Sequence, residues 1–174
     1  MITQIIQVLY LLAPAYLANM MPVVAAKFNL PWWKSISEEK FWKNKTRRWF
    51  YVWYIGALIA LYIQKNIQST EFWTSYSIIE YADINIFFYA LLFWFWALGW
   101  DLIKSYFKRK LWKKPWTSWF PFDQLDLVIG SLLLIAPFVS LSWEHILAAL
   151  IISPVGHFLT NVMAYWIGWK KVWR

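Results

Sequence analysis

Apolar residues along this chain come in long runs, and the residues separating the runs are mostly charged. A helix needs about 20 apolar residues to cross a bilayer core. Five runs approach that length, over residues 2–24, 49–63, 84–103, 125–141 and 146–167. The pattern predicts an all-α fold, an integral membrane bundle of five transmembrane helices forming a single domain over residues 1–174. Two connections, about 25–48 and 104–124, are too polar for lipid and too short to fold alone, and are expected to pack together over one face of the bundle. Pro14, Pro22 and Pro154 fall inside the first and fifth runs. Proline frees backbone groups that must find partners within the bundle, so kinks are expected there. The first run has no basic flank and no small-residue cleavage site, and reads as a retained membrane helix.

Composition supports the membrane reading: 61% of residues are hydrophobic, 22% aromatic and 15% charged, against about 25% charged in ordinary globular proteins. There is no cysteine, which excludes disulfides and thiolate–metal sites. A net charge of +8 could point to nucleic acid, but the placement of the cations argues for a membrane instead. Lys27, Lys34, Lys40, Lys43, Lys45, Arg47 and Arg48 lie in the first connection. Lys104, Lys108, Arg109, Lys110, Lys113 and Lys114 lie in the second, and Lys170, Lys171 and Arg174 in the tail. These are 16 of the 17 cations, all on one side, while Lys65 faces Glu71, Glu80, Asp83 and Glu144 on the other. By the positive-inside rule the N-terminus is outside and the C-terminus cytoplasmic. The implied protein is multi-pass in the cell membrane and has no nucleic-acid partner; its oligomeric state leaves no mark in the sequence.

The candidate chemistry gathers on the basic side. Asp101, Lys104, Ser105, Lys108 and Arg109 follow helical spacing on one face, with Leu102, Ile103, Tyr106 and Phe107 on the opposite, lipid-facing stripe. Cations at headgroup level read simply as a snorkelling anchor, but that leaves Asp101 and Ser105 without a role. Asp123 and Asp126, three apart, stand where the fourth run re-enters the membrane. A single acid there is an ordinary cap. Several carboxylates at a helix entrance cost free energy unless paired or bound to a cation. Three carboxylates beside many cations suit Mg²⁺ with a polyphosphate. "KNKTRR" at 43–48 offers charge-assisted donors for phosphate oxygens, though alone it is also an ordinary basic flank. His157 and Asn161, four apart, suit an interhelical hydrogen bond. His145 and His157 are expected on opposite sides of the membrane and cannot form one metal site. Strongly polar groups at one interface, away from midplane, disfavour a transporter.

These motifs resemble a known family. "DLIKSYFKRK" followed by "PFDQLDLVIG" is similar to the CDP-archaeol synthase family, within the CTP:phosphatidate cytidylyltransferase superfamily. "YLANMMPV", "KNKTRR" and "SPVGHFLTNVMAYWIGWK" match in the same order. The resemblance implies five transmembrane helices around a cytoplasmic polar cavity, and transfer of CMP from CTP to a lipid phosphate. By the same resemblance Asp101, Asp123 and Asp126 would hold Mg²⁺. Lys45, Thr46, Lys104, Ser105, Lys108 and Arg109 would contact the triphosphate or lipid phosphate, and Asn19 would line the cavity. A CTP-dependent polyprenol-type lipid kinase needs similar groups. An inactive homologue, a membrane anchor or a transporter subunit is the non-enzymatic alternative.

The departures from the family pattern are tryptophans. The chain has 16 Trp and 5 Gly, and Trp42, Trp49, Trp96, Trp100, Trp112 and Trp116 stand where the family resembles glycine. Glycine lets backbone approach a phosphate or a neighbouring helix; an indole blocks both. The pattern is the one expected when UGA codons that the cell reads as glycine are translated as tryptophan.

Overall fold

The computed structural model describes residues 2–32, 34–36, 46–111 and 122–168, without the side chains of residues 97, 100, 101, 104, 122–124, 157, 160, 161 and 164. Among the described residues six helices form, α1 (Ile2–Lys27), α2 (Trp49–Ile67), α3 (Glu71–Tyr76), α4 (Ile86–Lys110), α5 (Phe122–Ile135) and α6 (Trp143–Trp166). An isolated antiparallel bridge joins Ser35 to Thr46. The all-α expectation therefore holds.

Local chemistry sets the helix ends. Asn85 caps α4, its Oδ1 accepting from the N–H groups of Phe87 and Phe88 at 3.0 and 3.2 Å. At the start of α6, His145 Nδ1 accepts from the Ser142 N–H at 3.2 Å, and His145 Nε2 meets Gln7 Oε1 at 3.0 Å. The imidazole therefore ties the first turn of α6 to α1. α5 ends at Ile135, two residues before Pro137, although the apolar run predicted a span to 141. A helix avoids the residue before proline, so the apolar residues beyond 135 form a turn instead. At 14 residues α5 is about 21 Å long, short of a full bilayer core of about 30 Å. α4 continues through residues 104–110 of the second connection, as the helical spacing of Asp101 to Arg109 implied. The short helix α3 was not expected from the pattern.

α1 is central. Its Leu11, Ala15 and Ala18 join α2 and α4 in one buried cluster with Val52, Trp53, Ala57, Ala90 and Phe93. Val8 and Leu12 join a second cluster with Val128, Leu132, Ala148 and Ala149 of α5 and α6. Small residues let α1 and α2 approach closely: a Cβ on Gly56 would stand 3.0 Å from the Ala18 Cα. Among the described residues one helix, α1, is both long and apolar enough to cross a membrane, and shorter apolar stretches fill Ile86–Trp96, Leu125–Ile135 and Trp143–Gly156. Large apolar side chains cover the outside of the long helices, including Phe95, Leu133, Ile151 and Met163. An apolar exterior this extensive suits lipid rather than water.

Cross-helix contacts bring particular ends together. Trp94 of α4 donates to the Phe50 carbonyl of α2, and Trp96 donates to the Asp126 carbonyl of α5 at 3.1 Å. Tyr16 pairs with Ser153, and Gln7 with His145, so α1 and α6 run parallel. The N-terminal ends of α2 and α5 thus lie beside the middle of α4, and the start of α2 beside the C-terminal end of α1. This is the basic end of the bundle.

Candidate functional site at the basic end

The chain leaving α1 folds back on the start of α2. The Leu30 N–H reaches the Ala25 carbonyl at 3.0 Å, and an Arg48 guanidinium nitrogen donates to the carbonyls of Ala25 (3.4 Å) and Leu30 (3.3 Å). Arg48 therefore closes the C-terminus of α1, where unpaired carbonyls and the helix dipole favour a cation. The Arg48 N–H donates to the Trp32 carbonyl at 3.1 Å and the Arg47 N–H to the Lys34 carbonyl at 3.0 Å. Residues 32, 34 and 35 are thereby held beside residues 46–48. Thr46 is 5% exposed. The Thr46 and Ser35 hydroxyls and Arg48 Nε are buried with no hydrogen-bond partner among the described residues. Buried polar groups ordinarily find partners; such atoms also occur elsewhere among the described residues, at Gln4, Trp53, Gln64 and Ser131. Lys45 lies outside the described residues.

On α4 the two expected stripes are visible. Ser105 is buried, whereas Ile103, Tyr106 and Phe107 are exposed. Leu102 departs from expectation: it is half-buried against the main core rather than facing outward. Lys108 and Arg109 are half-buried in the last turns. Asp101 and Lys104 stand on the same helix within about one turn of Ser105. Their side chains lie outside the described ones, as does that of Asp123 in the first turn of α5. Asp126, one turn further along, is 7% exposed, and its Oδ1 accepts from the Leu127 N–H at 2.6 Å. The Trp96 bond to the Asp126 carbonyl sets α4 against α5 at this level. Asn19 is exposed on α1, in the same C-terminal half of that helix as Ala25, one of Arg48's acceptors.

Among the described residues no three His, Cys, Asp or Glu side chains gather, and two of the three expected carboxylates, Asp101 and Asp123, lie outside that description. Beside the site, an apolar groove of about 290 Å³ runs between α2 and α4, lined by Phe50, Tyr51, Tyr54, Leu91 and Trp94. Ser35 was not singled out in the sequence, and Arg48 was read there only as a phosphate donor. Nothing in their local pattern shows that they face the end of α1.

A helical bundle with an apolar exterior and one basic end is the architecture of a membrane-type protein. The chain belongs to the CarS-like CDP-archaeol synthase family, whose model matches residues 1–174. A CDP-archaeol synthase of Pyrobaculum islandicum is 40% identical over 75 residues, 43% of this chain and 46% of that protein. One of Methanoculleus marisnigri is 39% identical over 82 residues, 44% of this chain and 49% of the relative. One of Methanococcus maripaludis is 34% identical over 94 residues, 52% and 53% respectively. The chain thus spans about half the length of the curated relatives it matches. No solved structure matches it.

Proposed function

We propose that this chain is a membrane cytidylyltransferase that moves CMP from CTP to a lipid phosphate of the archaetidic or phosphatidic type. The observation that carries the reading is the family match over the full chain, residues 1–174. Five of the helices, α1, α2, α4, α5 and α6, cross the membrane, with the N-terminus outside and the basic end in the cytoplasm. The placement of 16 of 17 cations supports that orientation.

A phosphate oxygen of the lipid attacks the α-phosphorus of CTP, a P–O bond forms, the bond to the β-phosphate oxygen breaks, and pyrophosphate leaves. The attacking oxygen is already anionic, so no side chain needs to remove a proton. Rate comes from alignment and from neutralising charge on the departing group. Lys45, Lys104, Lys108 and Arg109 supply cations, Thr46 and Ser105 supply hydroxyl donors, and Asn19 lines the approach. The buried carboxylate of Asp126 fits a hard divalent cation, and Asp101 and Asp123 on the adjoining turns would complete an all-oxygen set for Mg²⁺. Bound there, Mg²⁺ would offset the charge of the triphosphate. The apolar groove beside Trp94 offers a surface for the lipid chains.

The test is to incubate membranes holding the protein with Mg²⁺, a panel of lipid phosphates, and CTP labelled at the α- or the γ-phosphate. Cytidylyl transfer carries the α label into lipid; a kinase carries the γ label. No labelled lipid from either form of CTP would sink the reading.

A further inference from the structure

Two tryptophans occupy places with the physical requirements of glycine, for two unrelated reasons. Trp96 lies on Gly130 of α5. The position a Cβ would take on Gly130 falls within the Trp96 indole, beside Nε1 and Cε2. A Cβ stands one bond from its Cα, so the indole is closer to the α5 backbone than the 3.5–4.0 Å, roughly, at which carbon atoms pack. The indole and the α5 backbone compete for one volume. The comparable approach of α1 and α2 sets Gly56 against the Ala18 backbone and the flexible side chain of Met21, which can give way. α4 and α5 instead have a rigid indole in the contact, and it overlaps the Cβ position far more deeply.

The second case is Trp32, whose φ is +62°. That left-handed region crowds the Cβ of every L-residue; Asn tolerates it, as at Asn29 (φ +49°), but a bulky side chain there is an outlier. The reversal is needed because it lets the Trp32 carbonyl accept the Arg48 N–H at 3.1 Å. The other described tryptophans carry no such sign, Trp49 included although the family pattern has glycine there. Trp53 is buried in the core, Trp73 stacks on Tyr10 with centroids 4.8 Å apart, and Trp49 stacks on Trp53 at 5.6 Å. Trp42, Trp100, Trp112 and Trp116, suspect from the sequence, lie outside the described side chains.

We infer that positions 32 and 96 are glycine in the protein its own cell makes, with glycine 96 setting the α4–α5 approach and glycine 32 the return of the chain toward Thr46. Both are backbone positions of the proposed nucleotide site, so their effect on turnover rests on the reading above, whereas their effect on stability does not. The gene should carry UGA at both codons; UGG at either overturns the inference.

The protein-level experiment compares melting temperatures of the full chain in detergent, as written and as variants. Trp96→Gly and Trp96→Ala should each raise the midpoint by about 2–4 °C, because relief of the overlap outweighs the lost bond to the Asp126 carbonyl. Trp32→Gly should raise it by a similar or smaller amount, since a ring-edge contact with Tyr51 at 5.3 Å is given up. Trp32→Ala should give no rise, because φ rather than size is the conflict. Trp53→Gly and Trp73→Gly should lower the midpoint. A fall with both Trp32→Gly and Trp96→Gly overturns the inference, and a rise at only one of them overturns the shared origin. If CTP proves not to be the substrate, the melting shifts still stand.

Discussion

The connection between α2 and α4 and the one between α1 and α2 are both turns over an end of the same bundle, and they treat their polar groups in opposite ways. In residues 68–85 every buried side-chain polar atom is paired. Gln68 donates to the Ile79 carbonyl at 2.9 Å and to Ser77 Oγ at 3.2 Å, and accepts from the Tyr81 N–H at 2.6 Å. Tyr81 is 1% exposed, and burial pushes its phenol well above the ordinary range, keeping it neutral. Trp73 stacks on Tyr10, whose hydroxyl donates to the Gln64 carbonyl at 3.2 Å. In the described part of 28–48, by contrast, Ser35, Thr46 and Arg48 each bury a polar atom with no partner. A network complete within the chain serves stability. Groups left incomplete lower stability, and under the proposed function they are the ones a bound phosphate would complete. Substitutions at the two ends should therefore separate folding from turnover.

The largest separation is expected at Asp126. Asp126→Asn keeps the side chain's size and removes its charge. Labelled-CTP assays should show a rate loss on the order of 10²-fold, with membrane insertion and melting nearly unchanged. A variant that keeps most of its activity would assign Asp126 to capping α5. At the other end, Gln68→Leu leaves the Tyr81 N–H unpaired, and the Ile79 carbonyl keeps only the Ser77 hydroxyl. It should destabilise the fold by about 2–3 kcal/mol in a thermal or denaturant titration, with turnover per folded molecule unchanged. Arg48→Met keeps the apolar stem but removes the bonds to the Ala25 and Leu30 carbonyls. A stability loss of about 1–2 kcal/mol is expected, together with a several-fold higher KM for CTP as the Thr46 segment loosens. If kcat falls instead while KM holds, Arg48 touches the reacting groups directly.

How much of this was legible beforehand follows from which forces are local. The runs that become α1, α2, α4, α5 and α6 are visible because lipid burial demands long apolar stretches and leaves cations between them. The end of α5 was misplaced because Phe138, Val139 and Leu141 continue the apolar run, while Pro137 decides the backbone. α3 has six residues, too few for a period to show. In the candidate site, the burial of Ser105 opposite Tyr106 and Phe107 could be read from helical spacing alone. Leu102 could not, since α4 meets the core over a wider arc than a two-stripe pattern allows. The inward turn of Arg48 and the pairing of Tyr10 with Gln64, 54 residues apart, depend on tertiary approach that no spacing encodes.

Thr46→Val is the smallest change and the sharpest. Valine matches threonine in shape and removes only the hydroxyl, whose oxygen is buried and unpaired. If that oxygen is idle, its loss spares a desolvation cost, and the variant should be as stable as the parent or firmer by up to about 1 kcal/mol. If it waits for a phosphate oxygen, the same variant should also lose roughly 10-fold in kcat/KM for CTP, the size of one hydrogen bond. Raised stability with lowered turnover in one substitution is what an unfilled donor predicts. A loss of stability would mean that the hydroxyl is already bonded within the fold, and the contrast between the two connections would then be one of packing rather than of purpose.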